Sequence, residues 1–159
     1  MNLHMSIVFP SEQLSLTPDF DLTSDYEVLV MDVCELLSET DCRFVMGGFG
    51  QDPWPVDVSY DLSSVMEQLP TAISDLRRRG EAVIDLYGQG VQRRLTFAPT
   101  GDLVNIRCSS DTRWQPDPAA EQVSYEEALR LLEGLKKDFR AAVERTSPTV
   151  AAAGPFAEW

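Results

Sequence analysis

Residues 82–109 contain three short runs, AVIDLYG, VQRRLTFA and DLVNIRCS, separated by Gly88-Gln89-Gly90 and by Pro99-Thr100-Gly101-Asp102. Glycine in both breaks supplies the positive φ that tight connections need, so the segment predicts a three-stranded antiparallel meander. A sheet with one apolar face needs a cover. The cover follows at residues 125–145, where Tyr125, Ala128, Leu129, Leu132, Leu135, Phe139, Ala142 and Val143 share one face of a helix. Ser124-Tyr125-Glu126-Glu127 has the spacing of a capping box, and Glu126–Arg130 and Glu133–Lys137 are favourable i,i+4 pairs.

The first half is read by the same rules. Ser6-Ile7-Val8-Phe9, stopped by Pro10, reads as an edge strand, and residues 11–25 as a polar loop. From Tyr26 the run EVLVMDVCELL is rich in Val and Leu and predicts a central strand. Ser38-Glu39-Thr40-Asp41 turns it into CRFVMGGFG, making an N-terminal hairpin. Val56, Val58 and Tyr60 alternate with Asp57, Ser59 and Asp61, the pattern of a half-buried strand with its acids in solvent. Leu62, Val65, Met66, Leu69, Ile73 and Leu76 predict a helix with a capping box at Ser64 and Glu67, ending in Arg77-Arg78-Arg79-Gly80. Pro70 inside that stretch predicts a break and a second start. Residues 110–123 read as a loop.

The sum is an α+β fold: a mainly antiparallel sheet of about six strands, the N-terminal hairpin plus the C-terminal meander, packed by two helices. A chain of 159 residues can close such a core as one domain, which the pattern places at 1–147. Beyond Pro148 the periodicity stops, and residues 148–159 read as a flexible tail.

Charge narrows the function. The 26 acidic and 13 basic residues leave a net charge of −13. The first 70 residues hold 13 acids and one base, Arg43, so nearly all of the excess lies there. Gripping phosphate backbones requires a basic face, which sets nucleic acid aside. The arginines of 77–79 fit a helix end, and the alternation at Arg93-Arg94 sends one arginine inward to be paired or at an edge. No apolar run spans a membrane, and the start Met-Asn-Leu-His-Met-Ser has no signal-peptide character, so the expected location is the cytoplasm. Cys34, Cys42 and Cys108 read as reduced, buried thiols, with a regulatory Cys34–Cys42 disulfide left open across the expected hairpin.

Catalytic patterns are scarce. His4 is the one histidine, and its terminal position reads as frayed rather than as a base or ligand. Counting from Asp19, an EF-hand loop would need glycine at Ser24 and glutamate at Val30. Met46-Gly-Gly-Phe-Gly50 lacks both the phosphate-loop pattern and a following helix, and reads as a strand-end bend. No cofactor and no metal are expected. Carboxylates are abundant enough that a metal-dependent hydrolase stays as one alternative, and an effector chaperone, dimerising through the last helix, as another.

What stands out is surface. Pro53-Trp54-Pro55 presents an aromatic beside Asp52, and the strand reading puts Asp57 and Asp61 on one face. A core position for Trp54 is equally consistent with the sequence. Asp52, Trp54, Asp57, Asp61 and Glu67 are the expected partner-binding residues. In size, acidity and element order over residues 6–147 the chain resembles the immunity proteins of bacterial polymorphic-toxin and contact-dependent inhibition systems. The segment Gly48-Phe-Gly-Gln-Asp-Pro-Trp-Pro-Val-Asp57 is similar to uncharacterised actinobacterial-type proteins. The resemblance to immunity proteins implies a non-enzymatic monomer or weak dimer that blocks the active site of a toxin domain with a basic surface.

Overall fold

The computed structural model describes residues 1–88 and 90–159; Gln89, in the first expected meander turn, lies outside the described residues. In chain order the elements are β1 (His4–Val8), α1 (Tyr26–Ser38), β2 (Arg43–Gly47), a π-helical turn (Val58–Leu62) and α2 (Ser63–Arg77). Then follow β3 (Ala82–Leu86), β4 (Arg93–Thr100), β5 (Leu103–Ser110), β6 (Ala120–Ser124), α3 (Tyr125–Thr146), the short α4 (Pro148–Ala151) and a 3₁₀ turn (Phe156–Glu158). The fold is α+β, with six strands in two antiparallel sheets, β1-β2 and β3-β4-β5-β6.

The meander forms where alternation predicts it. Ile84, Leu86, Leu95, Phe97, Val104 and Ile106 turn inward and are buried. Arg94 points outward and pairs with Asp85, its cross-strand neighbour, at 2.9 Å. α3 carries the expected capping box between Ser124 and Glu127. It contacts α2, β1 of the small sheet and β5 and β6 of the large one, and so ties the two sheets together. Glu133 is taken by Arg77 of α2 rather than by Lys137.

The first half differs from expectation. Residues 26–38 are helix, not strand: Leu29, Val30, Val33, Cys34, Leu36 and Leu37 are buried at helical spacing. Valine content suggests a strand, but tertiary burial of a 3.6-residue stripe decides. The hairpin therefore does not exist; β2 pairs with β1 instead, Met5 opposite Met46 and Ile7 opposite Phe44. Residues 56–60 are not a strand either, since the chain enters the π turn at Val58 and runs straight into α2. Asp57 caps that turn, its Oδ1 accepting from the N–H groups of Tyr60 (2.8 Å) and Asp61 (2.9 Å). The expected Ser64–Glu67 cap is absent because helix has already begun; the Ser64 hydroxyl donates to the Tyr60 carbonyl.

Pro70 does not break α2. Lacking an N–H, it leaves the Met66 carbonyl without its helical donor. The Tyr26 hydroxyl, from the first turn of α1, donates to that carbonyl at 2.7 Å. The loop expected at 110–123 contains β6, which extends the meander to four strands.

Residues 148–159 are not a flexible tail. Val150, Ala151 and Phe156 are buried, and Trp159 packs on Tyr26, Phe139 and Phe156. The polar segment before α1 is also tied down, with Leu14 and Leu16 donating their N–H groups to the carbonyls of Arg145 and Thr146. Those carbonyls end α3 and have no helical partner of their own.

Candidate functional site

The five expected contact residues do not form one face. Trp54 is 3% exposed. Its N–H donates to the Met46 carbonyl at 2.7 Å, its indole Nε1 to the Gly48 carbonyl at 3.0 Å, and its ring packs against Phe49 and Trp114. It is a core plug, because the loop it sits in folds back over β2. Asp61 is 6% exposed and accepts from the Asp57 N–H at 2.8 Å. Burial, with the nearby Asp57 charge adding to it, raises its carboxyl above the ordinary value despite that hydrogen bond. The strand reading sent Asp57 and Asp61 outward together; the π turn instead buries Asp61 behind Asp57.

Asp52 is exposed, and its Oδ2 lies 3.1 Å from Nε2 of His4. That places His4 within β1 rather than at a frayed end. Gly47 allows the approach, for a Cβ there would collide with both side chains. Beyond it, Gly48 (φ 131°), Phe49 (φ 56°) and Gly50 (φ 91°) form a tight turn closed by paired Gly48–Gln51 hydrogen bonds. The glycines serve the bend.

Glu67 sits elsewhere, at a groove of about 340 Å³ between α1 and the start of α2. Around it lie Glu27, Val28, Met31, Tyr60, Glu67 and Tyr87. Tyr60 is 73% exposed and Met31 53%, and Val28 and Tyr87 are exposed as well. Large apolar side chains gathered at an acidic rim have the make-up of a protein-binding surface. The Tyr87 hydroxyl donates to Glu67 at 3.0 Å, which holds the two together.

Further along α1, Asp19, Asp32, Glu35 and Glu39 surround a second, strongly polar hollow. α1 has no basic residue in its last turn and carries Glu35 there, with Glu39 as C-cap. Acids at a helix C-terminus oppose the macrodipole, and like charges three and four apart repel, so these positions cost the helix stability. Neither joins an ion pair among the described residues. Nothing local accounts for them.

Several basic residues of the second half are engaged. Arg77 pairs with Glu133 and Arg78 with Asp75, while Arg79 stacks 3.6 Å from the centre of the Tyr125 ring. Arg93 is buried between Trp54 and Trp114, its guanidinium 3.5 Å from the Trp114 ring centre. Its Nη2 donates to Gln51, while Nε and Nη1 are buried without a partner. The ring faces supply part of the lost solvation.

All three cysteines are free and buried. Burial pushes the thiols of Cys42 and Cys108 up to about 11. Among the described residues, no three His, Cys, Asp or Glu side chains are grouped to hold a metal ion. No described helix is long and apolar enough to cross a membrane.

From the sequence Glu67 was expected in one contact region with Asp52, Trp54, Asp57 and Asp61, and Glu27, Val28, Met31, Tyr60 and Tyr87, which line the groove beside it, were not named. The signal was available in the spacing of Glu27 and Val28, four and three residues before Met31, which gathers them on one helix face whereas a strand reading sends Val28 to the opposite side. Compared with family models, with curated proteins and with solved structures, the chain matches none.

Proposed function

We propose that this chain is a non-enzymatic binding protein that neutralises a cognate protein with a basic surface, as immunity proteins do for toxin domains. One observation carries the reading: Val28, Met31, Tyr60 and Tyr87 stand exposed around a single groove whose charged residues are Glu27 and Glu67. The acids of α1 that oppose the helix dipole extend the same negative field. Such a surface draws a basic partner by long-range attraction, then holds it by burying the aromatic side chains. Opposed charge raises association rates by roughly 10–10³ and makes them fall with salt. Blocking a toxin's active site requires no chemistry of the blocker, only a fast approach and slow release.

The test uses the product of the adjacent gene as partner and measures association at low and high salt. Replacing Glu27 and Glu67 together by Lys is expected to slow association at least tenfold and flatten its salt dependence, while Tyr60→Ala speeds dissociation. An association rate and salt slope unchanged by the double reversal would refute the reading.

A further inference from the structure

β2 is paired on one edge by β1. Its other edge is covered at one rung, where the Trp54 N–H meets the Met46 carbonyl. In a strand the N–H and C=O of one residue point to the same side, and residues two apart share that side. The Phe44 N–H and C=O therefore face away from β1, like those of Met46. They meet no protein partner there among the described residues, because the covering chain turns off: the Val56 N–H bends back to the Trp54 carbonyl at 2.9 Å. A cleft of about 440 Å³ opens at this place, with Cys42, Phe44, Val45, Trp54, Val56 and Val58 among its walls.

An unpaired strand edge is a template for another strand, and folds usually close it. This one closes the comparable edge of β3. There the Gln68 side chain donates to the Asp85 carbonyl and accepts from the Asp85 N–H, both at 2.8 Å, in imitation of a neighbouring strand. β2 has no such clip.

We propose that the β2 cleft takes a short extended segment of a basic partner protein as a third strand, bonded to the backbone of Phe44. Apolar residues of that segment fill the space between Phe44 and Val58, and basic ones meet the acidic half around it. The charge selects the occupant. Arg43 and Asp57 at the cleft offset each other, but residues 1–70 hold 13 acids against that one base, so a second copy pairing there would meet its own charge. Three or four residues, roughly 10–14 Å of extended chain, match a strand of this length. The proposal rests on the reading of the chain as a partner-binding protein and names how the partner's backbone is held. Ser59 lines both this cleft and the α1 groove, so one partner can engage the two.

The experiment is NMR on the full chain with the peptide acetyl-Lys-Val-Lys-Val-Lys-amide at millimolar concentration. In the free protein the Phe44 amide should exchange with solvent at least tenfold faster than those of Arg43 and Val45; equal protection would overturn the proposal. The peptide should then slow Phe44 exchange at least tenfold and shift the amides of Phe44, Trp54, Val56 and Ser59. A fully N-methylated peptide of the same charge, and one with Glu in place of Lys, should each bind at least tenfold more weakly. Equal binding of the N-methylated form, shifts confined to α1, or no shift at all would each overturn it. The plugging variant Val56→Trp should abolish the peptide effect; its persistence would also count against the cleft. These readouts need no cognate partner, so they stand or fall separately from the α1 groove.

Discussion

At the scale of single residues, the side chains that matter most answer a backbone or charge deficit created elsewhere. Pro70 removes a donor from α2, and Tyr26 supplies one from α1. Tyr26→Phe should cost about 1–2 kcal/mol, the usual penalty for leaving a buried carbonyl unpaired. In a Pro70→Ala background the restored N–H takes over, and the cost should fall by half or more. Denaturant unfolding of the four proteins measures this coupling; an equal cost in both backgrounds would show that the two residues act independently. Asp61 is the opposite case, a carboxylate whose burial is only partly offset by the Asp57 N–H. Its folded pKa is raised, so the proton binds the native state more tightly than the unfolded one. Its favourable contribution is complete below the ordinary value of 3.8 and is lost as pH rises through the folded pKa. Asp61→Asn keeps an acceptor for Asp57 and removes that loss, so it should raise Tm at pH 7 and leave it unchanged near pH 3. A lower Tm at pH 7 would mean that the charge of Asp61 is needed by the fold.

At the scale of elements, α1 shows a helix held by its inner face while its outer face works against it. Leu29, Val33, Leu36 and Leu37 are buried, whereas Glu35 and Glu39 stand at the end where the dipole favours cations. Replacing both by Lys should stabilise the protein by about 0.5–1.5 kcal/mol, more at low salt, while slowing association with a basic partner. Thermal unfolding at two ionic strengths checks the first half, and destabilisation would point to a structural role for the acids. The same helix explains what was legible beforehand. β3, β4, β5 and α3 follow from local signals: alternation, glycine turns, and the Ser124–Glu127 box. α1 does not, because its valines mimic a strand and its helical stripe has meaning only against the surface it covers. The 56–60 alternation fails for a similar reason. Asp57 caps a π turn, and that hydrogen bonding overrides a period-2 pattern only three apolar residues long.

At the scale of the molecule, charge and packing divide the labour. The second half builds the four-stranded sheet and engages Arg77, Arg78, Arg79, Arg93 and Arg94 within the chain, on Glu133, Asp75, Tyr125, the Trp54–Trp114 pair and Asp85. The first half wraps β1, α1 and β2 against it and leaves most of its carboxylates unpaired in solvent. The C-terminal segment completes the core through Phe156 and Trp159. Its lack of periodicity hides this role, for a few aromatic contacts bind it rather than a repeating face. The proposed contact surface was half legible for the same reason. The excess charge shows in a count of residues, but which carboxylates share a groove with Tyr60 and Tyr87 depends on how α1 and α2 cross.

A hydrogen-exchange footprint of the complex with the product of the adjacent gene tests most directly whether the α1 groove and the β2 edge hold a partner. Slowed exchange is expected along α1, across Val58–Glu67, around Tyr87 and at β2, with the outer face of the four-stranded sheet unchanged. Protection confined to that outer face or to the exposed side of α3, with α1 exchanging as in the free protein, would contradict it.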